Sequence, residues 1–535
     1  MLRIGSIAGP RGYVSAARSP ARPAMSWQRP RGAALTLGKV HWLQCLGLSL
    51  LSPVLICLAF PTFACGPLAL IALAPVFLLW SRISWKHAFL WGWLSGTLAY
   101  VLLLYWMAGT VFQFTGAWSI PMLILVCSIE ALAVAGVAVV ASLVGRGAFR
   151  PASIIALPAA WLLFESARSY GSLGIPFGAL GHAAAHVRWL LPLAAYGGVP
   201  LLTSSIALAN AAFAAIVGGQ GMTRTAGVGV LAALVVVVAA VDIKSAVTVV
   251  PAPQLRVAIA QGDISQRVKW TATGFAHAIA QYSKLTEQAA AGGARVVVWP
   301  ETAITSNPLQ DPALRSTLEH LSAKTRTWVI AGSLDQPAAD SSYNSVLDIT
   351  PSGTIGGIYH KRWLMPFAEF LPFESILRHV RILSRSASGF RSGTGTVLLS
   401  AGGLRWGSLI CYESGFALYA RAMVNAGADA IVMVADDDWF AATKEPYQHA
   451  DVAVIEAAST GRWVVRSTQS GMSEFVDPKG KVVSELGLQR RGIIVCNIGQ
   501  GIDTPFDRYG AGWLFALSFA VLAGGLLLAW RSARP

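Results

Sequence analysis

The chain has 535 residues, of which 54% are hydrophobic and only 13% charged. That balance argues against an ordinary soluble enzyme and leaves room for a membrane bundle plus one full-sized globular domain. The formal charge of +15 does not mark a nucleic-acid-binding surface: residues 251–510 hold 24 Lys and Arg against 23 Asp and Glu, while the remainder holds 17 against 3, in or beside apolar segments.

In chain order, residues 1–40 form a basic arm with Arg3, Arg11, Arg18, Arg22, Arg29, Arg31 and Lys39 and no acid. Two other readings stand beside a retained arm: an Arg-rich transit peptide, or an extended start with Met25 as initiator. Eight apolar segments follow, at about Trp42–Phe60, Gly66–Trp80, Ala88–Met107, Ser119–Val144, Ala152–Phe164, Val199–Val217, Ala226–Val241 and Trp513–Trp530. A crossing needs roughly 20 residues, so the second and fifth are short. Lys and Arg near helix ends are retained on the cytoplasmic side. With the arm inside, alternation also puts Arg82, Lys86, Arg146, Arg150, Arg224, Arg531 and Arg534 inside and only Arg168, Arg188 and Lys244 outside, a tally of 14 to 3. The expected organisation is a bundle of about seven helices over 41–245, an outer domain over 251–505 and a last helix over 512–530, with both termini cytoplasmic. Of six cysteines, only Cys411 and Cys496 fall in the outer domain, and no disulfide framework or CxxC is evident.

From Leu255 the pattern changes to short β-type runs: Leu255–Ala260, Arg295–Trp299, Trp328–Ala331, Ser345–Ile349, Leu404–Ile410, Ala430–Val434, Trp463–Arg466 and Ile493–Val495. Helical stretches at Phe275–Ala291, Leu314–Lys324, Phe416–Ala426 and Gln448–Ser459 lie between them. This alternation predicts one α/β domain with its sheet covered by helices.

Three segments place a reactive side chain just beyond a β-type run: Val297-Val298-Trp299-Pro300-Glu301, then Tyr359-His360-Lys361, then Ser408-Leu409-Ile410-Cys411-Tyr412-Glu413. A cysteine there acts as a nucleophile when a base removes its proton and a cation or amide stabilises the resulting anions. Taken singly, each has a structural reading: buried cysteines are commonly inert, an acid after Trp-Pro suits a helix start, and a lysine beside Arg362 is ordinarily solvated. Their joint appearance, in this order, favours chemistry.

The order and surroundings resemble the nitrilase superfamily, and with Gln261-Gly262-Asp263, Pro366-Phe367-Ala368-Glu369-Phe370, Arg508-Tyr509-Gly510, Phe60-Pro61 and Gly174-Ile175-Pro176-Phe177 the whole layout resembles the bacterial apolipoprotein N-acyltransferases. The resemblance implies a polytopic helical bundle carrying an α-β-β-α sandwich on the periplasmic face of the inner membrane. It implies a ping-pong reaction without cofactor or metal. An acyl chain passes from a phospholipid to Cys411, then to the α-amino group of a diacylglyceryl-cysteine apolipoprotein. Glu301 is then the base, and Lys361 with the Tyr412 amide stabilises the oxyanion. Glu369 and Glu413 orient Lys361 and help handle protons, Trp270 and Trp439 meet substrate, and Trp363 to Leu377 forms a mobile arm.

The chain departs from the family pattern at Asp436-Asp437-Asp438-Trp439-Phe440-Ala441, which stands where Asn-Asp-Ala-Trp-Phe-Gly is usual, at Glu456 and Ser459, where Arg and Glu are expected, and at Thr468-Gln469-Ser470-Gly471. Consecutive acids cannot converge on one ion unaided, and His182 and His186 lack the glutamate of HExxH. Glu130 is a carboxylate inside an apolar segment, a costly placement that marks function or a polar cavity. The rival functions are a membrane-tethered amidase using the same triad and a catalytically decayed scaffold.

Overall fold

The computed structural model describes residues 42–531 except 172, 339–340, 378, 380–388 and 441, so the basic arm, Ala441 and Arg534 lie outside the described residues. The apolar segments fold as α1 Trp42–Ala59, α2 Trp85–Leu104, α3 Ser119–Gly145, α4 Pro151–Arg168, α5 Ala194–Gly218 and α6 Met222–Val247. All but α4 lie in helical stretches long and apolar enough to cross a membrane. The segment at 66–80, expected to be one helix, is instead a 3-10 turn, Gly66–Leu70, and a short helix, Ala74–Trp80. Pro67 and Pro75 sit at the starts of these two pieces, where a missing N–H is tolerated. The backbone groups freed by the break still need partners in an apolar bundle. Asn210 of α5, fully buried, supplies them: its Oδ1 accepts from the Leu73 and Ala74 amides at 2.6 and 3.1 Å, and its Nδ2 donates to the Ala69 carbonyl at 2.7 Å.

The second half forms two six-stranded sheets. The first, in the order β12-β1-β2-β3-β4-β5, contains β1 Leu255–Gln261, β2 Val296–Val298, β3 Trp328–Ala338, β4 Ser341–Ile349, β5 Ile355–His360 and β12 Gly492–Ile498. The second, in the order β11-β10-β9-β8-β7-β6, contains β6 Leu398–Ala401, β7 Leu404–Ile410, β8 Ala430–Ala435, β9 Trp463–Thr468, β10 Ser473–Val476 and β11 Val482–Leu486. Period-two alternation sets the layers. Val257, Ile259, Val296 and Val298 meet Ile410, Val432, Val434 and Val465 between the sheets. Ala258, Ala260, Val297 and Trp299 face α7 Ala272–Ala291 and α8 Pro312–Thr325. Leu409, Ile431 and Met433 turn the other way, toward α9 Ala417–Asn425 and α10 Glu445–Thr460. The result is the α-β-β-α sandwich expected from the sequence.

The α10 layer is also where the sandwich meets the bundle, since Ala453, Ile455 and Ala457 share one apolar cluster with the membrane helices. His186, in the segment after α4, reaches Asp451 of α10 at 2.9 Å. The chain returns to the bundle as α11 Gly512–Arg531, which packs against α4.

Four strands, β5, β6, β10 and β11, have no counterpart in the runs read from sequence. In β5 the reason is visible: Gly356 and Gly357 interrupt the alternation because the Asp348 carboxylate occupies the space of a side chain, accepting from the Gly357 amide at 2.7 Å.

Substituting Asn210→Leu strands the Leu73 amide and the Ala69 carbonyl and leaves the Ala74 amide only its 3.2 Å bond to the Ile71 carbonyl; a buried unpaired group costs on the order of 1–3 kcal/mol. The variant is expected to melt several degrees below the parent in detergent; an unchanged melting temperature would show that the break satisfies itself another way.

Candidate active site

Each reactive residue leaves the C-terminal end of a strand: Glu301 follows β2, Lys361 follows β5 and Cys411 follows β7. Two come from the first sheet and one from the second, so the site lies at the seam between the sheets. Lys361 is 1% exposed. An ammonium removed from water costs several kcal/mol unless neutralised and hydrogen-bonded, and here Glu369 Oε2 lies 2.8 Å from Nζ and Glu301 Oε1 3.7 Å. Asn344 of β4 bridges the two acids, donating to Glu301 Oε1 at 2.7 Å and Glu369 Oε1 at 3.0 Å. The other Glu301 oxygen accepts from the Asp436 amide at 2.9 Å, which fixes the carboxylate at both ends.

Cys411 keeps partial access to the cleft and takes φ of +50°, in the left-handed region. A non-glycine residue held there costs roughly 1–3 kcal/mol, and such strain concentrates at functional turns. Three neighbours hold the turn. Ser414 Oγ donates to the Cys411 carbonyl at 2.7 Å, and His449 Nε2 lies 2.9 Å from Ser414 Oγ and 3.3 Å from that carbonyl. Glu413 Oε2 accepts from the Ile410 amide at 3.1 Å, while its Oε1 accepts from Tyr359 Oη and the Arg362 amide, both at 2.8 Å, and from the Trp363 amide at 3.2 Å. One buried carboxylate thus ties the segment carrying Lys361 to the turn carrying Cys411.

Burial by itself would lower the Lys361 ammonium, but Glu369 and Glu301, aided by Cys411, outweigh it and push its pKa up. Burial pushes the Cys411 thiol well above its ordinary range; Glu301 adds to this, Lys361 offsets part of it, and Asp437 and Glu445 add further. The resting pair is therefore a neutral thiol facing a fixed cation, with Glu301 beside both.

The other expected residues divide. Glu369 contacts Lys361 directly, whereas Glu413 spends its oxygens on backbone and Tyr359. Tyr412 is buried, its hydroxyl donating to the Gly174 carbonyl at 2.6 Å. Trp270 is 48% exposed, with its indole donating to Gln266 Oε1 at 2.7 Å. Trp439 is partly buried against the bundle core. On the segment expected to be an arm, Phe373 and Ile376 are exposed, while Trp363 packs on Phe416 and Tyr419. Intramembrane Glu130 pairs with Arg168 at 2.9 Å.

The three acids do not converge. Asp436 pairs with Lys269, Asp437 with Arg466 at 2.7 Å and His449 at 3.2 Å, and Asp438 accepts from the Gln266 amide at 2.7 Å. Burial lifts Asp436 to about 7 even beside Lys269. For Asp437, burial is overcome by Arg466 and His449, which hold it at about 2. Asp437, Glu445 and His449 place ligand-type atoms within 4.8 Å of one another, but Arg466 already supplies a positive charge on Asp437, and His449 Nδ1 sits between the two acids as a donor. Burial and Arg466 would lower His449, yet Asp437 and Glu445 raise it to about 9. Asn344, Ser414, Arg466 and His449 escaped the sequence reading because Asn, Ser and single ion-pairing residues carry no spacing signature.

Residues 256–502 match the carbon-nitrogen hydrolase family, and residues 52–212 match the apolipoprotein N-acyltransferase N-terminal domain. A curated apolipoprotein N-acyltransferase from Geobacter metallireducens is 30% identical over 495 residues, covering 90% of this chain and 94% of that protein. The chain belongs to the apolipoprotein N-acyltransferase family. The Azotobacter vinelandii member is 30% identical over 506 residues, covering 91% of this chain and 95% of that protein. Among solved structures, an amidase from Nesterenkonia sp. is 18% identical with a TM-score of 0.37, covering 50% of this chain and 98% of that one.

Glu456, one of the departures noted in the sequence, is 1% exposed with its Oε2 unpartnered, and burial, reinforced by Asp507, raises its pKa to about 8. Because the folded value lies above the unfolded one, the stability Glu456 contributes is complete below about pH 4.3 and is lost as pH rises through about 8. Glu456→Gln is expected to match the parent's melting temperature at acid pH and to exceed it by several degrees at alkaline pH. Parallel melting curves across that range would contradict the assignment.

Proposed function

We propose that this lipoprotein N-acyltransferase works through a thioester on Cys411, with a phospholipid as acyl donor and the catalytic sandwich on the periplasmic side of the inner membrane. The observation that carries the reading is the buried constellation of a neutral Cys411 thiol, a charged Lys361 and a doubly fixed Glu301, joined to an apolar helical bundle. The 14-to-3 distribution of basic residues supports the orientation.

A thiol held above its usual pKa attacks only as it loses its proton, so Glu301 takes the Sγ proton while sulfur adds to the ester carbonyl carbon. The oxygen that becomes negative is stabilised by Lys361, already charged and already placed, and by the Tyr412 amide. Collapse breaks the carbon–oxygen bond, Glu301 returns its proton to the departing lysophospholipid hydroxyl, and the acyl group remains on sulfur. In the second half, the α-amino group of the diacylglyceryl-cysteine attacks the thioester while Glu301 accepts an amine proton. The carbon–sulfur bond breaks, the thiol is reprotonated and an amide leaves. The exchange is downhill because an amide is more stable than a thioester, and a dry cleft limits hydrolysis.

Incubating the membrane-reconstituted protein with phospholipid and a diacylglyceryl-cysteine peptide is expected to give an N-acylated peptide by mass. Cys411→Ala is expected to give none, and Lys361→Met or Glu301→Gln to lower kcat by about a hundredfold or more. Product from Cys411→Ala at the parental rate would remove the mechanism.

A further inference from the structure

A cavity of about 480 Å³ lies beneath the sandwich, apart from the catalytic triad, with no triad residue in its walls. Its size falls within the range of small-molecule sites, about 300–1,000 Å³. One wall is a single stripe of α4, Leu162, Glu165, Ser166 and Ser169, at the i, i+3, i+4, i+7 spacing of one helix face. At about 1.5 Å per residue that stripe descends roughly 10 Å toward the middle of the bundle. Val199 and Thr203 of α5 and Phe515 of α11 complete the lower part, and the roof is built from Phe416 and Arg421 of the catalytic sandwich.

The cavity therefore runs from the sandwich into apolar helices, with its polar groups unevenly placed. Glu165 is already satisfied by Thr203 at 2.7 Å, the Leu180 amide at 2.8 Å and Trp161 at 3.1 Å. His182, in contrast, is 5% exposed and lines the cavity, and its imidazole, unlike its backbone amide, has no hydrogen-bond partner among the described residues. At the roof, Arg421 donates to the Phe506 and Arg508 carbonyls, at 2.9 and 3.4 Å, and neither Arg421 nor the exposed Arg508 has a carboxylate partner among the described residues. An apolar slot with one cation lacking a carboxylate partner, Arg421, in its roof and an unpaired imidazole in its wall fits an amphiphile with one chain and an anionic head.

We propose that this cavity is a second lipid site that takes one acyl chain of a phospholipid, with the phosphate at Arg421 and His182 bonding the glycerol or ester region. Trp363, two residues beyond Lys361, and Gly415, four beyond Cys411, also line it, so an occupant touches both segments that carry the catalytic groups. The site depends on the chain spanning a membrane and not on the thioester mechanism.

Gly512 offers a clean way to close the slot: it lines the cavity, its φ is not in the left-handed region, and an added Cβ meets nothing within 4 Å. The test uses full-length Cys411→Ala protein in bilayers containing a phospholipid with a photoactivatable acyl chain, followed by peptide mapping. Adducts are expected within 162–170, 199–203 or 512–515, about tenfold fewer when Gly512→Trp is added, with Gly512→Leu giving an intermediate loss. A diacylglycerol probe, lacking the phosphate, is expected to label these segments less. Absence of adducts there while other segments label, equal labelling in all three proteins, or equal labelling by both probes would overturn the proposal. Acyl transfer itself is read separately in the protein with Cys411 intact, so loss of the slot and loss of the thioester chemistry are distinguishable.

Discussion

The structure around the active site follows from one constraint: Lys361 keeps its charge with almost no contact with water. Two carboxylates must be brought to it, Glu301 from the end of β2 and Glu369 from the turn after Lys361, and both must be prevented from drifting. Asn344 does this by holding Glu301 and Glu369 together, and the Asp436 amide holds the far oxygen of Glu301. The same arrangement sets the chemistry. In the proposed reaction Lys361 stays charged, the proton that moves belongs to Cys411, and Glu301 is an acid beside both that is held at each of its oxygens. Removing Asn344 would leave two acids competing around one ammonium, a partly satisfied buried network that is worse than none.

The membrane bundle reaches this site through a chain of contacts. Arg168 pairs with intramembrane Glu130 at 2.9 Å and donates to the Ile175 and Phe177 carbonyls at 2.9 and 3.1 Å. That fixes the Gly174–Phe177 loop, where the Gly174 carbonyl accepts from Tyr412 and the Phe177 ring meets His449 edge-on at 5.8 Å. Tyr412 follows Cys411 directly, and His449 lies within hydrogen-bond distance of the Cys411 carbonyl. The buried Glu130 and Arg168 pair thus has a structural consequence outside the apolar layer: it sets the floor on which the strained Cys411 turn rests.

Much of this was legible in the sequence where the signal was local. Glu301, Lys361 and Cys411 follow strand-type runs and were found by motif and order, and the eight strands read from the sequence all appear, usually lengthened by a few residues. The failures have physical causes. β5 is interrupted by glycines that make room for Asp348, and β6 and β11 are the two edges of the second sheet, where pairing with a neighbour, rather than alternation, defines the strand. The segment at 66–80 reads as apolar and continuous, yet its break is made possible by Asn210, far away in sequence. Likewise Asp436, Asp437 and Asp438 read as one block of negative charge, while the fold pairs Asp436 with Lys269 and Asp437 with Arg466 and leaves Asp438 to the Gln266 amide.

The central claim is that the acyl group rests covalently on Cys411 between two half-reactions. The most direct measurement is the intact mass of the full-length protein after incubation with phospholipid and no acceptor, before and after hydroxylamine. The account predicts one added acyl mass, located on the peptide containing Cys411, released by hydroxylamine and absent in Glu301→Gln. A folded protein that acylates acceptor peptides yet never carries the added mass would contradict it.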